Sequence, residues 1–375
     1  MRAVTVLIIA AVAALLVLAT RTLMPQQKPI ELGIIGSLTG RFSALGTTGR
    51  DGAMLAVEQL NAAGGIHGRR IELHVADDGG QTATAVEAMQ DLSQTGIQAI
   101  IGPLTSACAE AIRPLADDER ILVVTGTASS QHLAETDDFL IRLHPSTARY
   151  GSRMSELLEL AAMRRIATIH DTNAASYAQT IIDAFTTGSL AARPELAFEN
   201  LAFTSGFETD HEALAEMVLD TRPDTIFIVT GTLDCALLLQ FIRATDPEVT
   251  VLTSPWAISN ELVYNSGQAI DGLLFALPYR LDATEPAYLD FLSAYRQRFG
   301  REPDHTSLMN YECVRLLNQV WHADPGLAGS ELRQAILQRG RFQGVQQPYT
   351  IDAHGDADRP LYPHTYHDGR IQALP

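Results

Sequence analysis

The sequence predicts an α/β protein of two parallel-sheet lobes with a ligand cleft between them, and three observations carry that reading. Short apolar strands alternate with helical stretches along most of the chain. The alternation comes as two similar series, one before and one after about Ser146. Several strands end in clusters of glycine and small hydroxyl residues, the place where open α/β sheets hold ligands.

Taken in order, ELGIIGSL (31–38) is a buried-type strand that ends in Gly and Ser. Residues 49–65 space Ala53, Leu55, Ala56, Gln59 and Leu60 as a helix and stop at Gly64-Gly65. RRIELHVADD (69–78) alternates as a strand and ends in two acids, and 82–96 is helical. IQAIIGPL (97–104), the helix 108–121 and the strand ILVVTGT (121–127) complete the first series. The second holds the strand 164–172, a helix from Tyr177 to Thr187, the strand 221–232, a helix from Asp234 to Ala244, and VTVLTSPW (249–256). Residues 287–300 and 307–322 return to helix, and 342–371 reads as short strands and turns.

Composition narrows the function. With 375 residues the chain is long enough for about two domains, and 46% hydrophobic residues exclude a disordered chain. A net charge of −17 leaves no basic surface for nucleic acid. Lys28 is the only lysine, which removes Schiff-base, P-loop and Ser-Lys chemistry from the body of the protein. The three cysteines, Cys108, Cys235 and Cys313, lack any metal-ligand spacing and read as small buried hydrophobes.

Residues 1–24 form an export segment. Arg2 precedes the apolar run Val4–Thr20, and no Cys follows it to carry a lipid. Val17-Leu18-Ala19 would suit cleavage, but the run is long for a removable segment, so an uncleaved membrane anchor is favoured.

Four strand ends carry donor clusters: 36–40, 102–106 with Thr105 and Ser106, 125–130 with Thr127 and Ser129, and 230–232. Hydroxyls beside helix starts suit a carboxylate, although each is also a plausible N-cap. No G-x-S-x-G, H-E-x-x-H or G-x-G-x-x-G is present, so no enzyme is assembled and no cofactor is implied. Asp352, His354, Asp356, Asp358, His364 and His367 read as turn acids and surface imidazoles rather than a metal site.

The stretches IELGIIGSLTGRFSALGTTGRDGAMLAVEQLNAAGGIHGRRIELHVADD and IQAIIGPLTSACAEAIRPLADD resemble the leucine/isoleucine/valine-type periplasmic binding proteins, the type I solute receptors of ABC importers. The resemblance spans 30–371. It implies two discontinuous Rossmann-like lobes with a hinge, 30–143 plus 277–350 and 144–276 plus 351–375. It also implies a carboxylate held by Ser106 and Ser129 with backbone from Thr127, and an aromatic contact from Tyr177. Three departures stand out. Leu45 and Gly231 occupy places where rings are usual, and Pro255-Trp256 stands where an acid normally pairs with a ligand ammonium. Either Asp234 or Glu261 replaces that acid, or the ligand has no ammonium and Trp256 stacks on it. The partner is then a small carboxylate- or amide-bearing ligand. The membrane partner is an ABC permease or, alternatively, a signalling protein.

Overall fold

The computed structural model describes residues 28–157 and 163–374. The apolar run 4–20, with the anchor expectation attached to it, lies outside the described residues. Among the described residues no helix is long and apolar enough to cross a membrane.

The first sheet has five parallel strands in the order β2-β1-β3-β4-β5: β1 Ile30–Gly36, β2 Ile71–Asp77, β3 Ala99–Ile101, β4 Val123–Thr125 and β5 Leu140–Arg142. Its helices are α1 Ser43–Ala62, α2 Thr82–Ser93 and α3 Ser106–Glu119. Strand β1 is buried on both faces, which a parallel sheet requires once helices cover both sides.

The second sheet has seven strands in the order β15-β14-β10-β9-β8-β6-β7. Strands β6 Arg165–Asp171, β7 Ala197–Phe203, β8 Thr225–Val229, β9 Thr250–Thr253 and β10 Leu274–Leu277 are parallel. Strand β14 Tyr362–His367 and the edge strand β15 Arg370–Ala373 join antiparallel. Helices α4 Thr147–Leu157, α5 Ala175–Ala192, α6 His211–Asp220, α7 Thr232–Thr245 and α8 Asn260–Ser266 accompany it.

Between β10 and β14 the chain forms α9 Pro286–Phe299, α10 His305–Trp321, α11 Gly329–Arg339 and a small antiparallel sheet. That sheet is β11 Arg341–Gln343, β12 Pro348–Ile351 and β13 Ala357–Asp358. Helix α10 is buried along almost its whole length and lies against α1. The contact is so close that a Cβ on Gly52 would fall 1.9 Å from the Ser307 carbonyl oxygen. An Asp304–Ser307 capping box starts α10 at the cleft.

Seven elements are absent from the sequence reading: β5, β7, β10, α4, α6, α8 and α11. Strand β5 has three residues, too few for a period. Strand β7 is an edge strand whose AFENLAF leaves most side chains in solvent, so the apolar signal is weak. Helix α6 is ten residues long and depends on an Asp210 cap, whose carboxylate accepts from the Ala213 N–H at 3.0 Å. Helix α1 also begins six residues earlier than its apolar pattern.

Buried charges lock the segments that run between the sheets. Arg142, 2% exposed, closes β5. Its guanidinium donates to Asp356 at 2.5 Å, to both Asp138 oxygens at 3.0 and 3.1 Å, and to the His354 carbonyl at 2.6 Å. Arg359 pairs with Glu312 of α10 at 2.5 Å and lies over the Tyr349 ring. The tail acids are therefore structural: Asp356 holds Arg142, and Asp358 pairs with Arg149 at 2.6 Å. His364 departs from the surface expectation. It is fully buried and stacks on Phe275, which fills the space beside β10.

All three thiols are free and fully buried. Burial pushes Cys108 up to about 11 and Cys235 up to about 12.

Beside Arg359, burial holds the His144 imidazole neutral, lowered to about 4. Between about pH 6.5 and 4 the unfolded chain therefore binds a proton at this position that the folded chain refuses, so stability is lost as the pH is lowered from about 6.5 to 4. The loss amounts to about 3 kcal/mol. In His144→Asn the stability curve between those pH values should be shallower by that amount, read from urea midpoints. Parallel curves for the two proteins would refute the assignment. Separately, Gly52→Ala should lower stability by about 2–3 kcal/mol, because the α1–α10 contact must open. Chemical denaturation measures it, and an unchanged midpoint would contradict the contact.

Candidate ligand-binding cleft

The C-terminal ends of the two sheets face each other across a cavity, and each wall is set by local hydrogen bonding. On the first lobe, Asp77 and Asp78 at the end of β2 pin the loop after β1. Asp77 accepts from the Leu38 and Gly79 amides, both at 2.8 Å, and from the Thr39 hydroxyl at 2.7 Å. Asp78 accepts from the Ser37 hydroxyl at 2.6 Å, and burial raises its carboxyl above the usual range. This paired-acid loop carries Phe42 and Leu45 to the cavity edge.

The floor is the N-terminus of α3 with the loop after β4. Both lone pairs of the Ser106 hydroxyl face backbone amides, accepting from Ser129 N–H at 3.2 Å and Ser130 N–H at 3.1 Å. That leaves its O–H as a donor. The hydroxyls of Thr105 and Ser129 are buried with no partner among the described residues. Thr105 occupies the N-cap position of α3 without capping it. Three hydroxyls thus gather at the positive end of a 14-residue helix, an arrangement that suits an anionic oxygen. Thr127 differs: its hydroxyl donates to the Leu104 carbonyl at 2.7 Å, so only its amide is left for a ligand.

The opposite wall comes from the second lobe. Asp171 at the end of β6 accepts from the Asn173 amide at 2.9 Å and from the Ser205 hydroxyl at 2.6 Å. This fixes the turn that presents Asn173, Ser176 and Tyr177. Tyr177 meets the Trp256 ring edge-to-face at 6.2 Å, and Phe42 meets it from the other lobe at 5.9 Å. A Cβ on Gly231 would lie 3.5 Å from the Trp256 indole. Gly231 thus lies directly beside the indole, at ordinary contact distance.

Six of the seven sequence-predicted residues line this one cavity: Thr105, Ser106, Thr127, Ser129, Tyr177 and Trp256. Asp234 does not. It lines a neighbouring outer cavity with Arg41 and Glu261, and its carboxylate is engaged by His211 at 2.8 Å. It sits on the first turn of α7. Sequence reasoning missed Phe42, His144, Asn173, Ser176, His305 and Thr306. Phe42 was within reach of it, since the ring expected near Leu45 stands three residues earlier.

No Asp, Glu, Lys or Arg lines the inner cavity among the described residues. Its only titratable bases, His144 and His305, are both driven below the ordinary imidazole range, chiefly by burial. The lobes also touch directly. Arg41 donates to the Ser205 carbonyl and hydroxyl at 2.7 Å each, and the Ser176 hydroxyl donates to Glu110. The cleft is closed. The one cluster with metal-ligand proximity among the described residues, Glu31, Glu72 and His74, sits toward the opposite end of β1 and β2, where His74 pairs with Glu31 at 2.6 Å.

Comparison with known proteins agrees with this architecture. The Leu/Ile/Val-binding protein homolog 3 of Brucella melitensis is 26% identical over 358 residues, covering 92% of this chain and 93% of the relative. The Leu/Ile/Val-binding protein BraC3 of Rhizobium johnstonii is 28% identical over 247 residues, 62% of this chain and 65% of that one. The solute binding protein of an ABC transporter from R. palustris, solved in complex with benzoate, superposes with a TM-score of 0.82 at 17% identity, covering 92% of this chain and 95% of the other. The family model for periplasmic binding proteins matches residues 29–370. The chain therefore belongs to the periplasmic binding protein family, as a solute-binding protein of the periplasm and not an enzyme.

Proposed function

We propose that this receptor captures a small aromatic carboxylate for an ABC-type importer, and that it does not take a branched-chain amino acid. The observation that carries the reading is the uncharged lining of the inner cavity. An amino-acid ligand would bury its ammonium there with no counter-charge, which weakens binding by about 3–5 kcal/mol. A carboxylate alone suits the Ser106, Ser129 and Thr105 hydroxyls at the start of α3. Phe42, Tyr177 and Trp256 offer three ring surfaces, one of them from the opposite lobe, for a flat body.

The fold accommodates either ligand class. Relatives named for leucine, isoleucine and valine share it with a neighbour solved with benzoate, so the lining decides. We further read the lobes as 30–143 plus 277–350 and 144–276 plus 351–375, closing on the ligand by rotation about the segments between them. Residues 4–20 would export the chain and hold it near its permease.

Calorimetry with benzoate and with leucine tests the ligand class. Benzoate should bind in the micromolar range or tighter, and leucine two to four orders of magnitude more weakly. Micromolar leucine binding would overturn the reading. Ser106→Ala and Ser129→Ala should each weaken the carboxylate about 10- to 150-fold, the loss of one charge-assisted hydrogen bond. If both variants bind as the wild type does, the anion sits elsewhere.

A further inference from the structure

The inner end of the cavity is lined by two imidazoles that the binding scheme above leaves unused. His144 follows β5, and its Nδ1 lies 2.7 Å from the Pro145 carbonyl oxygen. A carbonyl oxygen only accepts, so Nδ1 carries the proton and Nε2 of the neutral ring is left with a lone pair. No described group donates to that nitrogen. His305, the first residue of α10, meets the His144 ring edge-to-face at 5.0 Å and is backed by Tyr279, stacked parallel at 5.8 Å. The Nδ1 of His305 is likewise buried without a partner. His144 and His305 are 4% and 5% exposed, and both rings line the cavity.

A buried acceptor with no protein donor selects for a donor on the ligand. The charge nearby is the Arg359 guanidinium, whose field opposes protonation of both imidazoles and equally opposes an ammonium on the ligand. A neutral donor remains, and a phenolic hydroxyl is the strongest that an aromatic acid carries. We infer that His144 is a specificity-determining residue whose Nε2 accepts from a ring hydroxyl, so that the preferred ligand is a hydroxylated aromatic acid. This rests on the aromatic-carboxylate reading, with the carboxylate on the α3 hydroxyls and the hydroxyl toward the paired imidazoles.

The test is calorimetric titration of benzoate, 3-hydroxybenzoate and 4-hydroxybenzoate into the wild type and His144→Phe. In the wild type the better hydroxybenzoate should bind about 10-fold or more tightly than benzoate. In His144→Phe that ratio should collapse to within about 2-fold, since the ring shape stays and the nitrogen goes. A ratio unchanged in the variant, or benzoate bound best by the wild type, overturns the proposal. Nitrogen-15 NMR of the wild type keeps it testable if the variant fails to fold. His144 should be the neutral Nδ1–H tautomer at pH 7, and its Nε2 resonance should shift on adding the hydroxylated acid and not on adding benzoate. An Nε2–H tautomer or an imidazolium refutes the proposal on its own. Binding of none of the three acids would instead overturn the parent reading of the ligand class, and the tautomer would still decide the role of His144.

Discussion

The buried guanidinium of Arg142 is the constraint on which the two-lobed arrangement depends. A charge 2% exposed is tolerable only when every donor is matched, and Asp138, Asp356 and the His354 carbonyl match it. Two of those partners lie more than two hundred positions later in the chain, on the final passage between the sheets. The first and last connecting segments are thereby held side by side, with the Arg142 amide also donating to the Gly355 carbonyl at 2.8 Å. Arg359 and Glu312 repeat the device next to the cavity, where burial, with a smaller contribution from the Arg359 charge, keeps the neighbouring imidazoles in the neutral form. Buried ion pairs are thus concentrated on the segments that run between the two sheets.

The contacts across the mouth of the cleft are of another kind. Arg41 is one-third exposed and 4.0 Å from Asp171, so its attraction is screened and weak, of the order of 0–1 kcal/mol. Such contacts guide the closed geometry without locking it. The cavity between the lobes is lined by the start of α3 on one and by Tyr177 and Trp256 on the other, so a ligand bridging both would favour closure. The pinned acids divide the labour. Asp77, Asp78 and Asp171 are spent on backbone amides and hydroxyls, and so hold loops in place without presenting charge to the cavity.

The donor floor was legible in the sequence because its logic is local: hydroxyls directly after parallel strands must lie near helix N-termini. The absent acid was legible too, as Pro255-Trp256. Its consequence was not. Asp234 follows β8 on the first turn of α7, and only the structure shows its carboxylate engaged with His211 at the outer cavity. The proximity of Gly231 and Trp256 was hidden for a similar reason, since two departures read separately along the chain lie side by side in space. His144 carried no pattern at all. Its place depends on a three-residue strand and on α10, which starts 161 positions further along the chain.

The three thiols carry a consequence for how the protein lives in its compartment. The periplasm is oxidising, and an exposed thiol there is captured by oxidants and by the disulfide machinery. Here each sulfur lies in the apolar interior, with its proton held tightly by that burial. The native chain is therefore silent toward thiol chemistry and matures with no cross-link to make or correct. Reactivity appears only when the interior opens, so the cysteines act as a built-in record of unfolding, written irreversibly each time a molecule loses its core in an oxidising space.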